Sequence, residues 1–206
     1  MDIIIYGENG MASNTYLVID DEAKEAFIVD AGKFEQQLVD EAVKRNLDVS
    51  HLILTHGHGD HIGGVEEYKA AFPKLQVVAN EEERAFLLDS KQNYSREIWG
   101  RGISITADKY VKDQESMKVG SLELKFIHTP GHTKGGMCIL ADNVLFSGDT
   151  LFRQSIGRTD FPDGSFEEIK SSIREKLFIL PDDTDVFPGH MGPTTIGFEK
   201  ENNPFV

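Results

Sequence analysis

The feature that most constrains this chain is a set of three histidines and one aspartate within six residues: His56, His58, Asp60 and His61. Imidazole and carboxylate are the ligands that borderline transition metals prefer. The set follows an apolar segment, residues 51–55, whose composition predicts a short buried strand. In an extended continuation of that strand the first two histidines point the same way, while the other two residues lie where a helical pattern begins. The spacing indicates two pairs of ligands for two metal ions close together.

Three more metal-competent residues occur in a similar setting further along the chain. His132, Asp149 and His190 each follow a predicted strand and a glycine. Strand ends of one sheet can converge on a single cleft, and the loops there commonly carry function. We therefore expect these side chains to meet the first four at one site.

The motif His-x-His-x-Asp-His, followed by one His, one Asp and one His, resembles the metallo-β-lactamase superfamily over nearly the whole chain. The resemblance implies an α/β fold, a four-layer αββα sandwich with metals at one edge between the sheets. It also implies two divalent metal ions as cofactors, zinc first, with iron or manganese as alternatives. The implied ligands of the first ion are His56, His58 and His132, those of the second are Asp60, His61 and His190, and Asp149 bridges both.

Other segments narrow the resemblance to one branch of the superfamily. Residues 129–133, 147–152 and 188–190 are similar to glyoxalase II, and residues 156–162 and 192–205 to short bacterial glyoxalase-II-like hydrolases. The similarity implies a thioesterase that cleaves S-D-lactoylglutathione or a related 2-hydroxyacyl thioester. Longer glyoxalase II enzymes carry a C-terminal helical domain with glutathione-binding residues. This chain stops soon after residue 192, so we expect much of that pocket to be missing.

The implied chemistry assigns roles to three residues. Two metals ~3.5–4 Å apart can share a water and lower its pKa toward ~7, which gives a bridging hydroxide as nucleophile. Asp149 suits the bridge because a carboxylate has two oxygens, and Asp60 would ligate one ion and orient the hydroxide. Arg158 is predicted to bind a substrate carboxylate through its guanidinium. The alternative for Arg158 is a structural ion pair with Asp160 or Asp163.

Composition limits the other possibilities. With 206 residues, we expect a single hydrolase domain spanning 1–206. A net charge of −14 argues against binding to nucleic acid. No apolar run approaches the ~20 residues of a membrane helix, and the start lacks a basic signal-peptide region, so cytoplasmic residence is expected. The single cysteine, Cys138, lies in an apolar strand and is predicted to be a buried hydrophobe. The sequence leaves the oligomeric state open.

Apolar patterning predicts two strand-rich halves, each with a flanking helix. The helices are predicted near 33–46 and 165–177, with Ser165 and Glu168 in a capping-box pattern. The role of residues 84–112 is undecided between a lid and a cover for the core, with the cover favoured. The predicted strands lie near 2–6, 14–20, 25–30, 50–55, 121–128, 136–141, 143–147 and 184–188.

Three other functions compete with the thioesterase. A persulfide dioxygenase with one iron shares a segment similar to residues 157–161. A lactonase of the same superfamily is the second, and a β-lactamase is disfavoured because Asp149, not cysteine, occupies the later ligand position. A non-enzymatic zinc module is the third, but structural zinc sites typically close with four ligands. In the favoured interpretation the partner is a small-molecule acyl thioester.

Overall fold

The computed structural model describes residues 1–7 and 12–206. Within these residues the first half of the chain forms a six-stranded sheet. Its strands, in spatial and chain order, are β1 (Asp2–Tyr6), β2 (Thr15–Asp20), β3 (Glu25–Val29), β4 (Asp48–Ile53), β5 (Gln76–Asn80) and β6 (Lys109–Val111). The first three strands pair antiparallel, and β3 to β6 pair parallel.

The second half supplies the other sheet, which also has six strands in the described part of the chain. Its strands and the two-stranded ribbon between them are β7 (Ser116–Val119), β8 (Leu122–His128), β9 (Met137–Ala141), β10 (Val144–Gly148), the ribbon β11 (Leu151–Phe152) and β12 (Ser155–Ile156), then β13 (Asp185–Pro188) and β14 (Thr194–Thr195). The spatial order of the sheet is β14-β13-β10-β9-β8-β7, with β10 and β13 parallel.

Helices connect the strands and cover the outer faces of the sheets. A 3-10 turn (Glu81–Glu83) leads into the fourth helix, and a π-helical turn (Ile173–Leu177) continues the sixth. The helices are α1 (Gln36–Arg45), α2 (Gly59–Ile62), α3 (Val65–Ala71), α4 (Arg84–Leu88), α5 (Ser95–Trp99), α6 (Phe166–Ser172) and α7 (Ile196–Asn202). Among the described residues, none of these helices has the length and apolar character needed to span a bilayer.

Alternating side chains of the strands build the layers. On β2, Leu17 packs on the helix-covered side of its sheet, while Tyr16 faces the other sheet. Between the sheets Tyr16 contacts Phe146 of β10, with ring centroids 5.3 Å apart. Behind β10, Leu145 packs with Ile169 of α6. The layer order is therefore helix, sheet, sheet, helix, which confirms the predicted αββα sandwich.

The predicted elements agree with the structure to within a few residues. Ser165 caps α6, because its side-chain oxygen accepts a hydrogen bond from the Glu168 amide at 3.3 Å. Several short elements were not predicted, including β5, β6, β7, α4, α5 and α7. These are three to seven residues long, so a period of 2 or 3.6 is a weak signal in them.

Candidate metal centre

The structure brings all seven predicted ligands together at the ends of four strands. The loops after β4, β8, β10 and β13 meet at one edge of the sandwich. Three overlapping groups have ligand-type atoms within 4.8 Å of one another. They are His56, His58 and His132; His56, His61 and Asp149; and Asp60, His61 and His190.

The all-histidine group is the most enclosed of the three. The Nδ1 atom of His58 lies 2.9 Å from Nε2 of His132, and the ring centroids of His56 and His132 are 4.7 Å apart. All three side chains are buried. Burial lowers the pKa of each imidazole, that of His58 to about 3, because a charged ring would lose its hydration. These rings are neutral near pH 7, the state in which imidazole binds metals.

Asp149 faces both groups of histidines. Its Oδ1 lies 3.3 Å from Nε2 of His61, and its Oδ2 lies 3.5 Å from Nε2 of His132. Asp60 stands on the other side, with Oδ2 3.2 Å from Nε2 of His190. Asp149 thus lies between His132 of the first predicted ligand set and His61 of the second, whereas Asp60 contacts the second set only.

The second predicted ligand set, Asp60, His61 and His190, contains charged side chains, whereas the three histidines of the first set are neutral. Burial alone would lower the pKa of His61, but Asp149, Asp30 and Asp60 together raise it well above its usual value. For Asp149 burial acts in the raising direction, and the neighbouring His61, His132 and His56 together outweigh it and hold the pKa well below the usual value. The second set is therefore a concentration of negative charge around a histidine, a favourable environment for a cation.

Buried polar atoms show that the cluster fits divalent cations. Among the described residues, five buried side-chain atoms have no hydrogen-bond partner. Four belong to candidate ligands, namely Nε2 of His56, of His58 and of His61 and Oδ1 of Asp149, and the fifth is Oγ of Ser13. An unpaired buried polar atom costs free energy, so native structures rarely leave several side by side. The four candidate ligands belong to the groups above, and bound divalent ions would satisfy those of their atoms that face the cluster.

Partners behind the cluster orient the imidazoles. Asp30, which follows β3, lies with Oδ2 2.8 Å from Nδ1 of His61 and accepts hydrogen bonds from the amide and hydroxyl of Thr55. On the other side, Nδ1 of His132 lies 2.7 Å from the carbonyl oxygen of Arg158. Sequence reasoning missed Asp30, although it follows a strand and precedes Ala31-Gly32 in the same way that the other candidates adjoin glycines.

A cleft of about 380 Å³ opens above the cluster. His58, Asp60, His132, Asp149 and His190 form its floor. Its walls are mostly apolar and aromatic, with one acidic and one basic residue: Tyr94, Ile98, Phe152, Phe161, Glu97 and Arg158. A second cavity of about 190 Å³ adjoins it and shares Tyr94 and Phe161, whose ring centroids are 5.1 Å apart.

Residues 84–112 cover the segment 56–63 that follows β4, here called the metal loop, and also line the cleft. The indole nitrogen of Trp99 donates to the carbonyl of Gly59 at 2.7 Å, and the Gly59 amide donates to the carbonyl of Asn93 at 2.7 Å. Arg101 donates to the carbonyl of Gly63. Tyr94, from the same segment, faces the cleft. The segment thus packs on the core, as the favoured prediction has it, through residues such as Leu87 and Ile103. It also forms one wall of the cleft, which was not predicted.

Arg158 reaches the cleft wall and makes the ion pair that was its alternative role. Its guanidinium donates to both oxygens of Asp160, at 2.9 and 2.8 Å, and lies 4.6 Å from the ring centroid of Phe161. Both partners are about two-thirds exposed. Cys138 lies outside the cluster, fully buried as predicted, and burial raises the pKa of its thiol to about 11.

The fold and the cluster define a metal-binding protein of the αββα class, and comparison with known proteins gives its family. The model of the metallo-β-lactamase superfamily matches residues 9–190. Hydroxyacylglutathione hydrolase GloC of Haemophilus influenzae is 36% identical over 210 residues, with 100% of this chain and 98% of that protein covered. The chain belongs to the metallo-β-lactamase superfamily.

Solved structures agree with this assignment. BLEG-1 B3 metallo-β-lactamase matches with a TM-score of 0.91 and 36% identity, covering 99% of each chain. ETHE1 from Myxococcus xanthus matches with a TM-score of 0.82 and 26% identity, covering 99% of this chain and 84% of that one. The same fold is thus shared by proteins with different names, so the substrate has to be argued from the site itself.

Proposed function

We propose that this chain is a metal-dependent hydrolase of acyl thioesters, with S-D-lactoylglutathione and related 2-hydroxyacyl thioesters as the first candidates. The observation that carries the proposal is the position of Asp149 between two sets of ligands at the floor of an open cleft. Similarity to the GloC hydrolase over the full length of both chains supports the thioester.

The residues that would hold the first ion are His56, His58 and His132, and those that would hold the second are Asp60, His61 and His190, with Asp149 shared. Two divalent cations held there, zinc first, would supply a water that ionises near neutral pH and would polarise the carbonyl under attack. Iron or manganese would suit the same donor atoms.

The side chains around the cluster have their own tasks. Asp60, whose pKa is lowered despite burial because His61 and His190 lie beside it, stays ionised and accepts a hydrogen bond from the attacking water. The aromatic walls, including Tyr94 and Phe161, exclude bulk water from the acyl group. Water adds to the carbonyl carbon, the carbon–sulfur bond breaks, and the products are a carboxylate and a thiol. A thiolate leaves without strong help from a general acid.

A second candidate is oxygenation of a persulfide at a single iron. It is supported by similarity to ETHE1 and by the segment Gly157–Phe161, which is similar to that of persulfide dioxygenases. The presence of two complete ligand sets, not one, favours hydrolysis.

An activity panel tests the proposal. Protein of measured metal content is assayed with S-D-lactoylglutathione, a 2-hydroxyacyl thioester of a smaller thiol, a lactone, a β-lactam, and a persulfide with oxygen uptake recorded. We expect thioester hydrolysis to give the highest kcat/KM and Asp149→Asn to abolish it. Protein that holds two ions per chain yet leaves both thioesters intact would overturn the proposal, and oxygen uptake with one iron would establish the second candidate.

A further inference from the structure

Glu83 is a buried carboxylate that the proposed chemistry does not use. It ends the 3-10 turn Glu81–Glu83 with 1% of its surface exposed, while the two preceding glutamates of the turn are exposed. Burial raises its pKa to about 7, against the lowering effect of the hydrogen bonds it accepts. Burying a carboxylate costs free energy unless hydrogen bonds compensate for the lost hydration.

Those contacts join two separate loops of the candidate metal centre. Oε1 of Glu83 accepts a hydrogen bond from the Gly57 amide at 2.9 Å, and Gly57 lies between His56 and His58. Oε2 accepts from the Gly135 amide at 2.8 Å and from the Thr133 hydroxyl at 3.3 Å, directly after His132. One side chain thus ties the loop after β4 to the loop after β8.

The backbone of the second loop approaches Glu83 closely. A Cβ added to Gly135 would lie 2.4 Å from both the Glu83 amide nitrogen and Oε2. Glycine at position 135 therefore lets the loop reach the carboxylate. The neighbouring Glu82 shows the contrast, because it is exposed and pairs with Lys134 at the surface, with 3.0 Å between the charged atoms.

We propose that Glu83 is a positioning residue that holds the His56–His58 loop and the His132 loop at the separation one metal ion requires. The inference rests on the proposed ligand sets but not on the substrate. Groups behind the ligands fix ligand orientation, and their loss typically reduces metal affinity about 10–100-fold. Glu83 acts through backbone amides instead of an imidazole nitrogen, and on the three-histidine set alone.

Glu83→Gln is the informative variant. It keeps the size of the side chain but replaces one acceptor oxygen with an NH2 donor. Whichever way the amide is turned, either the Gly57 amide or the Gly135 amide then faces another donor. Glu82→Gln, in the same turn, is the matched control because it removes a charge at the surface without touching either loop's amides.

Zn²⁺ binding, measured by competition with a chromophoric chelator at fixed pH, tests the inference without any substrate. The wild type is expected to bind two ions, Glu82→Gln to match it, and Glu83→Gln to bind one of the two about 10–100-fold more weakly. Visible absorption of the Co²⁺-substituted protein, which depends on coordination geometry, should change in Glu83→Gln and not in the control. Should Glu83→Gln fail to fold, Thr133→Val removes only the 3.3 Å bond and should weaken the same ion to a smaller degree.

The outcomes distinguish a failure of the proposed ligand sets from a failure of the role proposed for Glu83. A wild type that binds fewer than two ions overturns the ligand sets and, with them, the role of Glu83. A wild type with two ions and a Glu83→Gln variant with unchanged affinities and Co²⁺ spectrum overturns the role of Glu83 alone. Weakening of both ions equally also overturns it, because the carboxylate would then support the whole fold. Loss of thioester hydrolysis has no bearing on any of these results.

Discussion

The Oδ2 atom of Asp30 lies 2.8 Å from Nδ1 of His61, and both side chains are almost completely buried. The bond fixes the ring so that Nε2, which has no hydrogen-bond partner among the described residues, points to Asp149 at 3.3 Å. A carboxylate behind a histidine also makes the imidazole a more basic ligand. Asp30 thus serves the second ligand set in the way that Glu83 is proposed to serve the first.

Asp30→Asn should weaken one of the two bound ions. The amide keeps a similar shape, but it removes the charge that favours the Nδ1–H tautomer of His61. We expect about 10–100-fold lower affinity for one Zn²⁺ per chain, measured by chelator competition. Asp40→Asn, a change of the same charge on the exposed face of α1, should leave both affinities unchanged. Equal affinities in the wild type and Asp30→Asn would contradict the orienting role.

Gly59→Ala should destabilise the protein because α5 packs directly on the metal loop. A Cβ at position 59 would lie 2.6 Å from Cα of Ser95, a backbone atom that cannot move aside independently. Overpacking of this kind typically costs about 1–3 kcal/mol. Urea unfolding measures the loss. Gly192→Ala is the control, because a Cβ added there would meet no atom within 4 Å and its backbone conformation suits alanine. A variant at position 59 as stable as the control would refute the close docking of α5.

The stability of the metal-free protein should fall as the pH is lowered from about 5.5 toward 4.5. Because the pKa values of His56, His58 and His132 are lowered from the usual 6.5, the unfolded state binds protons there more readily than the folded state does. Each such proton steepens the loss by up to ~1.4 kcal/mol per pH unit. Glu83 acts in the opposite direction, since with a pKa of about 7 it holds a proton in the folded state that the unfolded state has lost, but it is one group against three.

His61 and His190 do not alter the sign in that window. Their pKa values are raised above the usual 6.5, so at about pH 5.5 and below both are largely protonated in the unfolded state as well as in the folded state. Urea unfolding of chelator-treated protein at constant ionic strength measures the slope, and His58→Gln should flatten it. Stability that stays constant or rises as the pH falls would show that the three histidines are hydrated, not desolvated, in the fold.

Sequence patterning predicted the architecture because strands such as β2 and β3 carry apolar runs that belong to an interior. It also indicated the ligand cluster, because each candidate follows a strand and glycines adjoin most of them. Asp30 and Glu83 were missed for a physical reason. Their partners are Nδ1 of His61 and backbone amides of Gly57 and Gly135, and such pairings depend on loop geometry that no period in the sequence encodes.

Arg158→Ala distinguishes substrate binding from a structural ion pair. The pair with Asp160 is exposed on both sides, and exposed pairs contribute little to stability. The contact to Nδ1 of His132 comes from the backbone carbonyl of Arg158, so it survives the substitution. If the guanidinium binds a carboxylate of the thiol part of the substrate, KM should rise on the order of tenfold with kcat and melting temperature unchanged.

Two controls make the result specific to the charge of the substrate. A thioester whose thiol lacks a carboxylate should show the same KM in the wild type and Arg158→Ala. Arg153→Ala removes a guanidinium that lies outside the cleft, 5.5 Å from the ring centroid of Phe198, and should change neither KM. A lower melting temperature with an unchanged KM would assign Arg158 to the ion pair with Asp160 instead, because only the loss of a structural contact lowers stability without affecting the bound substrate.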